Sequence, residues 1–319
     1  MTGAVWSTSG IEIVGLGRYF PGQPIANEDL VPTNTTPIEQ QVLGVGGVRT
    51  RHRCADDQDL ADLATEAVNH ALSDAGIDGS EVDVLMLSNW TDRWCAPEWG
   101  ALVATRVGAE HAMGFDLCGG CAGFVQGVHT AAMFLSSPAH YETAVVASAE
   151  RFSRRVRPGS KGELVVSDGA GAAVLRRTGT SGLIDSAFHS NGELSHMSTV
   201  HPGNGWVRSQ PELNDVAVKH VLIAVKDLLA RNDITPDDID WVVPHSATEP
   251  FNQALRAELG IDPDKIVNNL ATRGNLSSAS IPTTLSEYVE RGTLQRGDLV
   301  LSPSLGGGVW CYGGLLYRL

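Results

Sequence analysis

Apolar residues between Asp59 and Ala75 recur at helical spacing. Leu60, Leu63, Ala64, Ala67, Val68, Ala71 and Leu72 mark one face, and Gly76 supplies the stop. Continuous apolar runs at Ile11–Gly17, Val82–Ser88 and Thr143–Ser148 predict buried strands. Arg18–Pro24 reads as a loop, Asn27–Gln41 as polar and helical in places, and Gly44–Arg49 as a glycine-rich turn. Trp99–Val107 predicts a helix. Phe115–Leu117 predicts a strand end, Cys118-Gly119-Gly120 a tight turn, and an apolar helix then opens at Cys121 and runs to about Leu135. Glu163–Val166 and Gly171–Leu175 flank Ser167-Asp168-Gly169-Ala170 and predict a hairpin.

The second half of the chain repeats the first. Leu60–Ser88 and Ala217–His245 share a helix, a short acidic turn and a strand, with an offset of 234 − 77 = 157 between Ile77 and Ile234. At a similar offset Thr143–Ser148 matches Asp298–Pro303, and Asp168–Leu175 matches Gly306–Leu316. The period is too long for a solenoid. It describes a duplicated α/β unit, with an N-terminal half over 1–178 and a C-terminal half over 179–319. Strands alternating with helices predict layered sheets. Two halves packed as pseudo-twofold partners bring their strand ends to one shared site.

Composition narrows the class. A chain of 319 residues with 42% hydrophobic and 19% charged residues can bury a sizeable core. A formal net charge of −14 makes nucleic acid and an anionic membrane poor partners. A local basic run, Arg151, Arg154, Arg155, Arg157 and Lys161, is either a docking patch for an acidic partner or a solvated loop. The start, MTGAVWSTSGIEIVGLG, has no basic, apolar signal-peptide pattern, and no stretch has the length of a transmembrane helix; a cytoplasmic protein is the expectation. The five cysteines, Cys54, Cys95, Cys118, Cys121 and Cys311, are odd in number and irregular in spacing, so no disulfide framework is implied.

The chemistry concentrates at the turn before the apolar helix. A cysteine at a helix N-terminus meets free N–H groups and the positive end of the dipole, which lower its pKa and make it a nucleophile. Cys118-Gly119-Gly120-Cys121 also has CxxC spacing, but no second pair completes a zinc site and the order of elements is not that of thioredoxin. Neither a metal nor another cofactor is therefore expected. In the second half His245 ends the apolar strand Trp241–Pro244, Asn275 lies in the loop Arg273–Pro282, and Gly306-Gly307-Gly308 follows a strand over Leu299–Ser302.

Five segments in order resemble the thiolase superfamily and, more narrowly, β-ketoacyl-acyl-carrier-protein synthase III: Cys121–Phe124, Asp168–Ala173, Val243-Pro244-His245, Gly274-Asn275 with Ser278–Pro282, and Leu305–Gly308. The resemblance spans nearly the whole chain. It implies a thiolase-like fold, two pseudo-twofold-related halves forming a five-layered α-β-α-β-α core. It assigns Cys121 as the acylated nucleophile with His245 and Asn275 as partners, and the backbone N–H groups of Cys121 and Gly307 as the oxyanion hole. A thiolate accepts an acyl group from a thioester. An imidazole and an amide can hold a malonyl thioester carbonyl and stabilise the enolate formed when carbon dioxide leaves. The resemblance further implies a homodimer, an acyl-thioester donor carried by acyl carrier protein or coenzyme A, and carrier contacts at Lys219, Arg256 and Lys161.

The chain departs from that pattern where it meets substrate. Thr36–Val42 holds no tryptophan to stack on an adenine, Ser246 follows the histidine where glutamine is usual, and Ala96 stands at the phenylalanine position of the dimer-interface loop. These departures point to a specialised branch, as in polyketide or other secondary metabolism. An alternative there is an acyltransferase that moves a carrier-bound acyl group through Cys121 onto a hydroxyl or amine, with His245 as general base. Retention of Asn275 favours condensation. An intact Cys121, His245 and Asn275 argue against a non-catalytic partner subunit.

Overall fold

The computed structural model describes residues 5–30, 46–137, 140–180, 182–200 and 203–319. Thr36–Val42 and the start of the Gly44–Arg49 turn lie outside them. The first half carries β1 (Ile11–Tyr19), α1 (Leu60–Ala75), β2 (Val84–Ser88), α2 (Trp99–Arg106), β3 (Met113–Leu117), α3 (Gly123–Leu135), β4 (Thr143–Arg151) and β5 (Asp168–Arg177). The second carries β6 (Leu183–Ser190), α4 (Leu213–Arg231), β7 (Trp241–Val242), α5 (Glu249–Leu259), α6 (Ser280–Glu290), β8 (Leu299–Gly306) and β9 (Cys311–Arg318).

The two sheets have the same plan. The first runs β1-β5-β4-β2-β3 and the second β6-β9-β8-β7. In each, the strand after the acidic turn pairs parallel with the next long strand, Val84 with Ala144 and Trp241 with Val300. That strand pairs antiparallel with the following one, Ser148 with Gly171 and Ser304 with Gly313. Among the described residues, the place of β3 is taken in the second sheet by one parallel bridge, Val242 to Ile266.

Layering follows from which side chains each strand turns to which face. On β2, Val84 and Met86 join a cluster with Phe124, Val128 and Leu135 of α3 and Ile281 and Leu285 of α6, together with Val300, Leu315 and Tyr317 of the second sheet. Leu85 and Leu87 face the other way, onto α1 and α2. The second sheet turns Leu299, Leu301 and Leu316 onto α4 and α5. The order is thus helices, sheet, helices, sheet, helices, the five layers of the thiolase-like fold. Both faces of each sheet are buried, which is why the strands read as apolar runs and not as alternations.

Local signals account for the element ends. Asp59 caps α1, accepting from the Asp62 N–H while the Asp62 carboxylate accepts from the Asp59 N–H, and Gly76 closes the helix at φ 66°. The helix lies close on β1 because Gly17 has no side chain; a Cβ there would come within 2.1 Å of the Ala67 carbonyl oxygen.

One expectation needs correcting. No hairpin forms around Ser167–Ala170. Lys161–Leu164 is a 3-10 turn, β5 begins at Asp168, and its antiparallel partners are β4 and β1. Val166 instead bridges to Asn275, because the buried Asp168 carboxylate, accepting from the Cys54 and Ser153 N–H groups and the Ser153 hydroxyl, fixes the chain as it enters the sheet. Of the basic run, left open between a docking patch and a solvated loop, three arginines have partners within the chain. Arg151 pairs with Asp92 at 2.7 Å, Arg154 with Asp56 at 3.6 Å, and the Arg155 guanidinium donates to the Thr91 carbonyl.

Candidate active site

β3 ends at Leu117, and the chain turns through Cys118 and Gly119 into a 3-10 turn, Gly120–Ala122, that runs into α3. Cys121 therefore sits in the turn immediately before the α-helix. Gly120, at φ 55°, lets this turn lie backbone to backbone on Gly306-Gly307; a Cβ on Gly120 would stand 2.6 Å from the Gly307 nitrogen. The Ser304 hydroxyl, from β8, donates to the Cys121 carbonyl at 3.1 Å. The predicted nucleophile and the predicted oxyanion glycine are thereby held together by the two halves.

His245 arrives by extension of β7. The ladder to β8 continues past the strand, with the Val243 and His245 N–H groups donating to the Leu301 and Pro303 carbonyls at 2.9 Å each. The imidazole is buried, with Nδ1 3.3 Å from the Ser280 hydroxyl, which can serve either tautomer. Burial pulls its pKa down to about 4 against a hydrogen bond to the Ser277 carbonyl, so it is neutral at physiological pH.

Asn275 is fixed on every side. Its backbone exchanges hydrogen bonds with Val165 and Ser167. Its Oδ1 accepts from the Ser277 N–H at 2.8 Å and its Nδ2 donates to the Ala247 carbonyl at 3.1 Å. These partners settle which end of the amide is which, and leave one Nδ2–H uncommitted.

Cys121, His245, Asn275 and Gly307 line one cavity of about 380 Å³. Its walls are largely apolar, with Trp90, Phe152, Val207, Leu213, Leu305 and Trp310, and Cys118 also borders it. Cys118 is exposed, whereas Cys121 is half-buried and accepts a hydrogen bond at Sγ from the Ser277 hydroxyl at 3.1 Å.

One electrostatic expectation reverses here. The helix N-terminus was expected to lower the Cys121 pKa, yet burial pushes the thiol up to about 11. The Ser277 hydroxyl and the Gly307 and Cys121 N–H groups, all bonded to sulfur, pull the other way, and a nearby carboxyl, Glu150, adds to the rise. Glu150 itself is buried. It accepts from the Trp90 and Thr91 N–H groups and from the Thr91 and Ser278 hydroxyls, and burial still raises it to about 7. Free thiol and free imidazole at neutral pH make a neutral pair, so ionisation must accompany attack on a substrate carbonyl.

The other predicted residues lie elsewhere. Lys219 is exposed and lines a surface groove of about 530 Å³ between α4 and α5. Arg256 faces Glu249 at 3.1 Å, and Lys161 is exposed on the turn before Val165; neither borders the cavity or the groove. Ala96 is exposed and does not border the cavity of its own chain. Sequence reasoning missed Ser277, Glu150 and Trp90. The repeat offset carries Cys121 onto Ser278 and could have drawn attention to Ser277; Trp90 carries no signal beyond following a strand that ends at the site. Among the described residues no three His, Cys, Asp or Glu side chains are grouped to hold a metal ion, and no helix is long and apolar enough to cross a membrane.

Residues 115–192 match the family described as 3-oxoacyl-[acyl-carrier-protein (ACP)] synthase III, and residues 229–319 match its C-terminal counterpart. The β-ketoacyl-[acyl-carrier-protein] synthase III of Paramagnetospirillum magneticum is 34% identical, over 97% of this chain and 98% of that protein. The crystal structure of 3-oxoacyl-[acyl-carrier-protein] synthase III from Aquifex aeolicus superposes with a TM-score of 0.91 at 28% identity, over 97% of this chain and all (100%) of the other. The priming β-ketosynthase of the R1128 polyketide pathway superposes with a TM-score of 0.89 at 25% identity, over 97% and 96% of the two chains. The fold and the site define a thiolase-like enzyme. Within that class, the chain belongs to the 3-oxoacyl-[acyl-carrier-protein] synthase III family of condensing enzymes.

Proposed function

We propose that Cys121 takes an acyl group from a thioester and that the site joins it to a malonyl-type thioester by decarboxylative condensation. The observation that carries this reading is the Asn275 amide, oriented by Ser277 and Ala247 with one N–H to spare, in the same cavity as a neutral His245 and Cys121. In the first step Sγ attacks the thioester carbonyl, the Cys121 and Gly307 N–H groups receive the oxyanion, and the donor thiol departs with a proton. The malonyl carboxylate then leaves as carbon dioxide. The electron pair forms an enolate whose oxygen accepts from the spare Asn275 N–H and from the one His245 N–H, which turns from the Ser277 carbonyl to the substrate. The enolate carbon attacks the acyl carbonyl, the carbon–carbon bond forms, and the carbon–sulfur bond to Cys121 breaks.

A pocket walled by Trp90, Phe152 and Trp310 suits an apolar acyl chain of the kind met in specialised metabolism. Lys219, with Arg256 and Lys161, supplies positive charge for the carrier or coenzyme A phosphates. The open edge of β3, beside the exposed Trp94 and Met113, suits a second copy in a homodimer. Labelled malonyl thioester offered to the acylated protein is expected to release labelled carbon dioxide, with Asn275→Ala slowing release by about 10²-fold or more. Transfer of the acyl group to a hydroxylated acceptor, with no carbon dioxide released, would instead assign a transferase.

A further inference from the structure

Ser277 touches each of the other three groups. Its hydroxyl donates to Cys121 Sγ at 3.1 Å, its N–H donates to Asn275 Oδ1 at 2.8 Å, and its carbonyl accepts from the His245 imidazole. It does this at φ 54°, a left-handed conformation that side chains other than glycine rarely adopt. Its hydroxyl also has a second partner, because the Trp90 indole Nε1–H donates to Ser277 Oγ at 2.8 Å.

That second bond has a direction. An indole N–H can only donate, so it occupies a lone pair of the Ser277 oxygen and leaves the hydroxyl proton for another acceptor. A thiolate can only accept. We infer that Trp90 and Ser277 form a donor chain, indole N–H to hydroxyl O–H to Cys121 sulfur, that orders the hydroxyl as a fixed donor and stabilises the thiolate as it forms. Ser277 contacts the reacting atom; Trp90 is a positioning residue acting through it. The chain meets a specific need. The thiol feels a buried carboxyl, Glu150, in a cavity with mainly apolar walls, and the Ser277 hydroxyl is the one side-chain donor that joins the Gly307 and Cys121 N–H groups at the sulfur. Trp90 is itself held edge-on by Phe152, with ring centroids 5.0 Å apart, so the indole N–H keeps its aim.

This inference rests on the proposed role of Cys121 as nucleophile, but its test does not need turnover. The rate of Cys121 alkylation by iodoacetamide, followed by peptide mass spectrometry across pH, reports the thiolate fraction. Trp90→Phe keeps the ring on Phe152 and removes only the donor. Ser277→Gly removes the hydroxyl and accepts the left-handed backbone. Each is expected to slow Cys121 alkylation at pH 8 by about three- to tenfold, as the pH profile moves up by about half to one unit. The double variant is expected to be no slower than Ser277→Gly alone, and Cys118, in the same cavity, to keep its rate. An unchanged profile in Trp90→Phe, additive losses in the double variant, or a parallel change at Cys118 would overturn the chain. Failure of the condensation reading is seen separately, as absence of an acyl adduct on Cys121 in the wild-type protein.

Discussion

The two halves bring the same turn to the site and use it differently. In the first, Gly120–Ala122 is a 3-10 turn opening α3; in the second, Ser277–Ala279 is a 3-10 turn opening α6. Gly120 and Ser277 lie 157 positions apart, the offset of the repeat, and share a left-handed backbone at φ 55° and φ 54°. The same offset places Cys121 opposite Ser278, and Ser88 opposite His245. One copy keeps the thiol and the other the imidazole. Ser278, in the thiol's position, donates to the Glu150 carboxyl at 2.6 Å and does not line the cavity. Ser88, in the imidazole's position, is buried beneath Gly123, where a Cβ would stand 1.7 Å from its hydroxyl. Duplication supplied two equivalent scaffolds, and packing around each decides which residue can act.

Exchanging the two turn residues gives the largest expected effect. Cys121→Ser with Ser278→Cys restores one thiol to the site, but at the position turned toward Glu150. Intact-protein mass spectrometry after incubation with acyl thioesters is expected to show loss of the acyl adduct by on the order of 10³-fold or more. An adduct on the relocated cysteine would break the comparison.

The left-handed positions come next. Gly120→Ala meets both the backbone penalty and the Gly307 nitrogen at 2.6 Å, and is expected to lose about 2–4 kcal/mol by denaturant unfolding. Ser277→Gly removes the backbone penalty along with two hydrogen bonds, and its stability is expected to stay within about 1 kcal/mol of wild type. Equal losses in the two would show that the serine is not under backbone strain.

Glu150 sharpens the comparison through pH. The folded chain holds its proton up to about 7, against an ordinary value of 4.5. The native state thus binds a proton that the unfolded chain releases sooner. The resulting stability is fully present below pH 4.5 and is lost as pH rises through 7. Glu150→Gln does not titrate. Relative to wild type it is expected to gain stability between pH 5 and pH 8, by up to about 3 kcal/mol, in thermal or denaturant melts. A difference independent of pH would place the proton elsewhere.

Much of this was legible in the chain itself. The face of α1 and its stop at Gly76, the buried strands read at Val82–Ser88 and Thr143–Ser148, and the repeat of 157 residues follow from apolar spacing, because a sheet buried on both faces and a helix buried on one leave periodic marks. With the family resemblance, those marks named Cys121, His245, Asn275 and Gly307, and the cavity brings all four together. The false hairpin at Ser167–Ala170 shows where periodicity stops: glycine and aspartate mark a tight backbone path, but not which strand will lie beside it.

What the fold alone decided concerns interactions between residues far apart in sequence. The sequence placed Cys121 by a helix N-terminus and implied a low pKa; only the packed structure shows the burial and the Glu150 carboxyl that reverse it. Trp90 and Ser277 stand 187 positions apart, and no local pattern links an indole after one strand to a serine before a distant helix. Hydrogen bonds and desolvation depend on distances of a few ångströms between such partners, and those distances exist only once the two halves have closed on each other.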